Sequence, residues 1–376
     1  MKFNIIGAGI GGLTLAVALK QKGIPFQIFE QAEEMKAVGA GIILGNNAMQ
    51  VYEKLGLVDA LLEKGNRISQ LSITEADLKP MSTIDLTDYE KQTGLANLAI
   101  HRGDLQTLLL SKLDEGDLTT SKKLMKLETG SKPKLHFEDR TTVEPEYVIG
   151  ADGINSVVRK SITGENTIRS ARQICWRGVA DYQLTAKDKT HFREAWGKGC
   201  RFGFGQINER QVYYFALLNI RESMDEHKGD DWKNHFKVFD PLVSQLIEAT
   251  PNSQIHVGEI TDLKPIKTWY KNQICLIGDA AHAMTPNMGQ GAGQSIEDAY
   301  VLANCLEKYA PEQAFEKYQS LRITKALQIV NNSWRIGMIA QLENSVGIWL
   351  RNQVMKMTPD SIGKKQTAQV FELAEV

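Results

Sequence analysis

Cysteine is scarce in this 376-residue chain: Cys175, Cys200, Cys275 and Cys305 stand far apart. They form no metal-ligand spacing, so no metal is expected, and isolated thiols of this kind are expected to be free in a reducing cytoplasm. No stretch approaches the ~18 consecutive apolar residues of a membrane-spanning helix. The start, Met1-Lys2-Phe3, runs straight into an apolar strand, so neither a signal peptide nor a membrane span is expected. An excess of one charge is lacking too, with 44 Lys and Arg against 45 Asp and Glu for a net charge of −1. Without a basic tract, nucleic acid is not an expected partner. Internal repeats and low-complexity segments are absent, and the 42% hydrophobic content over this length suffices for a buried core in two domains.

What the chain does contain is glycine in three ordered clusters. The first, Gly7-Ala8-Gly9-Ile10-Gly11-Gly12, lies between an expected strand, Phe3 to Ile6, and an expected helix, Leu13 to Gln21. In that setting glycines let the turn be tight and the backbone approach a pyrophosphate, whose charge meets free N–H groups at the helix start. Glu30 ends a second strand, Phe26 to Phe29, where an acid binds a ribose hydroxyl. This fingerprint alone fits NAD or FAD.

The other clusters separate those options. Gly278-Asp279-Ala280-Ala281-His282 follows an apolar strand, Gln273 to Ile277, and leads to Pro286-Asn287-Met288-Gly289-Gln290-Gly291-Ala292-Gly293, ahead of a helix expected to start near Ser295. Such a loop offers main-chain N–H groups to something planar and anionic, and a nicotinamide dehydrogenase needs no second loop of this kind. Between them, Gly150-Ala151-Asp152-Gly153 through Arg159 follows the strand Tyr147 to Ile149. Taken singly, Asp152 reads equally well as a helix cap and Arg159 as a surface cation.

With these three motifs in this order and at about these separations, the chain resembles the class A flavin-dependent monooxygenases, the para-hydroxybenzoate hydroxylase family. Its nearest likeness is to the FAD-dependent urate hydroxylase and zeaxanthin epoxidase branch, through Val38-Gly39-Ala40-Gly41-Ile42, Asn46-Asn47-Ala48-Met49, Arg102 and Ile296-Glu297-Asp298-Ala299. No Cys precedes residue 175, which sets aside the disulfide-reductase flavoproteins, and no Trp-x-Trp-x-Ile-Pro segment suggests a flavin-dependent halogenase. The resemblance implies an α/β (α+β) fold, with a Rossmann-like FAD-binding domain assembled from 1–70, 98–170 and 270–330. A mixed-sheet substrate domain would come from 71–97 and 171–269, and a C-terminal helical segment from 331–376. It also implies FAD contacts from Gly7, Gly9, Gly11, Gly12, Glu30, Gln31, Arg102, the Leu124 backbone, Asp152, Asp279, Gly289, Gln290, Gly291, Ala292 and Gly293. Arg102 has its own rationale, since a guanidinium can bridge a diphosphate. His282, in a packed strand–helix junction, reads as a satisfied core residue and not as an acid or base.

From Arg201 to Leu218 the residues alternate in strand fashion about a loop at Asn208-Glu209-Arg210. Phe202 and Phe204 face one way, Arg201, Gly203 and Gly205 the other, and Tyr213, Phe215 and Leu217 share a face. Glycines beside Arg201 leave room for a ligand or a close-lying ring, or else mark a bulge, and the ligand reading is preferred. In urate hydroxylase an Arg and a Tyr twelve residues apart hold the substrate over the flavin. Arg201 and Tyr213 match them, which assigns both a catalytic and a substrate-binding role. Arg177 stands where that enzyme has Asn, implying a different substrate, and Gly293 replaces a Cys, loosening the pocket. Both arginines also read as ordinary salt-bridging residues.

The implied activity is monooxygenation. NADH or NADPH would bind transiently and reduce FAD, and dioxygen would form a C4a-hydroperoxyflavin that hydroxylates or epoxidises a small aromatic or heteroaromatic, anionic substrate. A non-catalytic FAD-binding protein and a flavin-dependent reductase of the same fold are the alternatives. Near the C-terminus, Ile339, Leu342, Val346, Trp349, Leu350 and Val354 recur at helical spacing, as expected of a core or domain-bridging helix. The polar side of this stripe is not basic enough to favour a membrane surface. Oligomeric state is not encoded in any of these features.

Overall fold

The computed structural model describes residues 1–36, 40–164, 168–220 and 230–376, so the Val38-Gly39 part of one motif lies outside the described residues. Phe3–Ile6 forms the centre of a six-stranded sheet ordered Tyr270–Lys271, Ile274–Leu276, Tyr147–Gly150, Phe3–Ile6, Phe26–Phe29, Leu118–Thr119. All neighbours are parallel except the first pair. Parallel strands are covered on both faces, which explains why Phe3–Ile6 is buried at every residue. The covering helix Ile10–Gln21 packs against Gly291–Lys308, which in turn packs against the 30-residue helix Pro311–Ala340.

A second, seven-stranded sheet runs in the order His256–Leu263, Ile168–Asp181, Gln211–Asn219, Cys200–Asn208, His191–Trp196, Gln70–Glu75, Pro80–Asp85. It is mixed, since His191–Trp196 and Gln70–Glu75 are parallel and the other pairs antiparallel. The hairpin Cys200–Asn208 and Gln211–Asn219 follows the alternation read from its sequence. Phe202, Phe204 and Tyr214 point into an aromatic core with Trp176, Trp232 and Phe236, where the two indoles stack at 4.8 Å. Arg201, Gly203 and Gly205 face the other way. A Cβ at Gly203 would lie 2.1 Å from the Phe215 ring, and one at Gly205 2.4 Å from Phe192. The glycines therefore accommodate rings and not a ligand directly, which corrects the preferred reading.

The C-terminal stripe is also corrected. It is not one helix: Ile339 lies in the last turn of Pro311–Ala340, Leu342 lies in the turn that follows, and the others sit on Ser345–Met357. Nor is it core, because Val346 is 73% and Trp349 63% exposed. A last helix, Asp360–Phe371, packs back across Pro80–Asp85. Among the described residues no helix is long and apolar enough to cross a membrane, and no cluster of acids, His and Cys could hold a metal ion.

Candidate active site

The first glycine loop is built by close approach. Gly7 has φ +105°, and a Cβ there would lie 2.5 Å from the Ala151 carbonyl oxygen, while one at Gly12 would lie 2.1 Å from the Gly7 oxygen. These two glycines are packing positions that bring the first and second motifs together. Gly9 has nothing within 4 Å of a built Cβ, and Gly9 and Gly11 line a cavity. The helix begins at Ile10, earlier than the expected Leu13, and its cap residue Gly9 makes no side-chain bond, which leaves first-turn N–H groups for an anion. Glu30 is held at this loop by the N–H groups of Ala8 (2.7 Å) and Ala32 (2.9 Å), one on each carboxylate oxygen. A carboxylate has about four acceptor sites, so capacity remains. Lys122 N–H donates to the Glu30 carbonyl at 2.8 Å, which draws the segment leading to Leu124 beside Glu30 and Gln31.

The second motif has a structural task. Asp152 accepts from Ser156 Oγ (2.5 Å) and from the N–H groups of Val157 (2.7 Å) and Val158 (3.2 Å), capping the helix Val157–Thr163. Burial raises its carboxyl above the usual range while these bonds pull it back. Its carboxylate turns into the chain, and the neighbours Ala151 and Gly153 line the cavity in its place. Arg159 is no surface cation: it is fully buried and donates to the carbonyls of Ile154 and Ala280 (3.1 Å), tying the second motif to the third.

In the third motif, Asp279 and Arg102 both face the cavity, and Arg102 opens the helix Arg102–Leu110. Asp279 is exposed at the cavity floor, where desolvation by the surrounding walls pushes its carboxyl up, against the pull of His282 and Arg102. Gly289 takes the left-handed conformation (φ +62°), and the helix Gly291–Lys308 starts four residues before the expected Ser295 with no side-chain cap. Glycine is tolerated in a first turn, where N–H groups lack helical partners anyway. Gly289, Gln290, Gly291 and Ala292 line the cavity. Gly293 does not: a Cβ there would meet Gln290 and Asn47, so its loosening of the pocket is not seen. His282 is buried against Trp269 and pairs with Asp298 at 2.5 Å, as a core histidine should.

The opposite wall comes from the seven-stranded sheet. Cross-strand register places Arg177 and Cys175, Phe215, Tyr213 and Leu217, Arg201, then Phe192 and Glu194, on one face. Arg201 is 1% exposed and already engaged, donating to Glu194 Oε1 (2.8 Å) and to Asn287 Oδ1 (2.7 Å); its Nε has no partner among the described residues. Asn287 belongs to the Pro286–Gly291 loop and also donates to the Ser333 carbonyl at 2.7 Å, so Arg201 joins the sheet to the glycine loop. Arg177 differs. It is half-buried, lies beside the Tyr213 hydroxyl, and pairs with no carboxylate among the described residues. Burial of Tyr213 raises its hydroxyl well above the ordinary phenol range, so it stays neutral. Glu194 escaped the sequence reading. Phe192, Glu194 and Trp196 alternate in the sequence, but the pairing of Glu194 with Arg201 is a cross-strand fact.

Both walls enclose one cavity of about 840 Å³, glycine backbone on one side and Arg177, Tyr213 and Arg201 on the other. The open glycines, uncapped helix starts and Arg102 fit a flavin dinucleotide. Fold and site together define a flavin-dependent monooxygenase. The chain belongs to the family described as FAD binding domain, which matches residues 1–333, and it is an FAD-dependent monooxygenase. It is 37% identical over 357 residues to the aurachin C monooxygenase/isomerase of Stigmatella aurantiaca, covering 94% of this chain and 93% of that protein. Against the 2-heptyl-3-hydroxy-4(1H)-quinolone synthase of Pseudomonas aeruginosa it is 31% identical over 379 residues, covering 99% and 98%. Among solved structures, Klebsiella pneumoniae HpxO complexed with FAD and uric acid is similar in fold, with a TM-score of 0.88 at 23% identity over 98% of this chain and 96% of that one.

Proposed function

We propose that this enzyme uses NADH or NADPH and dioxygen to hydroxylate or epoxidise a heteroaromatic ring carrying an ionisable oxygen. The observation behind this reading is that the glycine-lined floor and the Arg177–Tyr213 wall face each other across a single cavity. The named relatives act on nitrogen-containing rings, among them the quinolone synthase and a 6-hydroxynicotinate 3-monooxygenase of Pseudomonas fluorescens. FAD, when bound, supplies the redox and oxygen chemistry, and the protein supplies orientation and a dry cavity. Gly7 to Gly12, Glu30, Gln31, Leu124, Arg102, Asp279 and Gly289 to Ala292 hold the dinucleotide in this reading. Arg177 attracts the ionised ring oxygen, neutral Tyr213 orients the Arg177 guanidinium, and Arg201, with its charge already met by Glu194, fixes the loop that carries Asn287. The segments 71–97 and 171–269 act as the substrate domain, and the four buried free cysteines suit a reducing cytoplasm.

Purified enzyme should be yellow, and quinolone or hydroxypyridine rings should accelerate NAD(P)H consumption with incorporation of labelled oxygen. Ligand-stimulated NAD(P)H oxidation that puts no label into any ring would overturn the reading.

A further inference from the structure

The cavity continues well beyond the residues that would hold a ring. Five strand-to-strand steps separate the strand of Arg177 from the strand of Ile84, and at about 4.8 Å each the wall runs roughly 24 Å. Its chemistry changes along that length. Charged and hydroxyl groups cluster on the first four strands, ending at Glu194 on His191–Trp196. Beyond Phe192 the cavity face carries Leu71 and Ile73 from Gln70–Glu75, and Ile84 with Ser82 from Pro80–Asp85. The intervening Ser72 and Thr83 hydroxyls bond to each other at 2.6 Å, which satisfies them within the sheet. Helices close this half with Ile336, Ile362 and Val370, and the exposed Pro359 and Ile362 mark its mouth at the start of the last helix.

A slot with a cationic, hydroxyl-bearing head and a long apolar extension fits an amphiphile. We infer that the substrate is a heteroaromatic ring bearing a linear alkyl chain, with the ring at Arg177 and Tyr213 and the chain lying along Leu71, Ile73 and Ile84 beneath the helix Asp360–Phe371. This rests on the monooxygenase reading for the ring position. The slot is a binding site for hydrocarbon in its own right, because Leu71, Ile73, Ile84, Ile336, Ile362 and Val370 offer a chain dispersion contacts and release from water, while the polar groups among them, Ser82, Gln366 and Thr367, carry no charge.

The test is a homologous series on FAD-loaded enzyme: 4(1H)-quinolone and its 2-methyl, 2-propyl, 2-pentyl, 2-heptyl and 2-nonyl derivatives. Binding is read by titration calorimetry, and turnover separately. Each methylene that enters the slot should tighten binding about fourfold, equivalent to ~0.8 kcal/mol, until the chain reaches the mouth and the gain stops. Ile84→Trp should move that break to shorter chains and Phe192→Ala to longer ones, with retained FAD and an unchanged melting temperature as controls for folding. Chain-length dependence without turnover would leave the slot standing and remove the oxygenation reading. Equal affinity for the unsubstituted and heptyl rings would overturn the inference, whatever the turnover.

Discussion

Two arginines of one cavity differ in what surrounds them, and that difference predicts opposite consequences for the same change. Arg177 has no carboxylate partner among the described residues, so Arg177→Gln should leave the denaturation midpoint almost unchanged. It should weaken ring binding by about 1.5 to 3 kcal/mol, ten- to a hundredfold in KM, through loss of one charge-assisted contact. Arg201 is bound to Glu194, whose side chain is only 17% exposed. Arg201→Gln strands that carboxylate and detaches Asn287, so it should lower stability by about 3 kcal/mol, measured by denaturant unfolding. A stable Arg201→Gln enzyme with normal midpoint would show that Glu194 finds solvent instead. The sequence likeness points to Arg201 as the substrate anchor; in the proposed function that part falls to Arg177, because Arg201 is already paired with Glu194.

At the scale of elements, glycines of one loop separate into two kinds. Gly12→Ala places a methyl against the Gly7 carbonyl and should destabilise the apoprotein as well as abolish FAD retention. Gly9→Ala meets no chain atom within 4 Å, so the apoprotein should melt normally and only the FAD titration should weaken. If both variants melted alike, the close approach of Gly12 would not be the constraint. The helix Ser345–Met357 makes a plainer case. Because Trp349 is mostly solvent-exposed, Trp349→Gln should change stability by no more than about 0.5 kcal/mol. Helical spacing of apolar residues was legible in the chain, and the turn at 341–344 that divides the stripe was not. Periodicity identifies an amphipathic face without naming what covers it.

Across the whole molecule, the buried network around Asp298 holds the third motif to the helices behind it. Asp298 accepts from Gly278 N–H (2.9 Å), His282 and Arg322 Nε (2.8 Å), and Arg322 also pairs with Glu297. Burial opposes ionisation of Asp298, but His282 and Arg322 outweigh it and hold the carboxyl down at about 2. A carboxyl depressed on folding adds stability above its unfolded pKa, about 3.9, and loses that contribution as pH falls towards about 2. Asp298→Asn should therefore cost about 3 to 5 kcal/mol at neutral pH, because Arg322 and His282 lose the carboxylate they share in a buried network, and should flatten the acid limb between pH 4 and 2. Unfolding followed as a function of pH in both proteins checks this, and parallel acid limbs would remove Asp298 from the account.

Strands, the two glycine turns and the hairpin facing were decided by sequence, because each depends on neighbours within a few residues: period-two alternation and absent Cβ atoms. The family follows from the same local motifs in order. Tertiary structure alone decided that Asp152 caps a helix, that Gly293 faces Asn47, that Glu194 neutralises Arg201 and that Gly203 and Gly205 make room for Phe215 and Phe192. It also decided that the cavity runs on past Arg177 and Tyr213 to Ile84. Each of these depends on which strands and loops meet across long separations in the chain, and side-chain charge and volume acquire their effect only from the partner placed opposite.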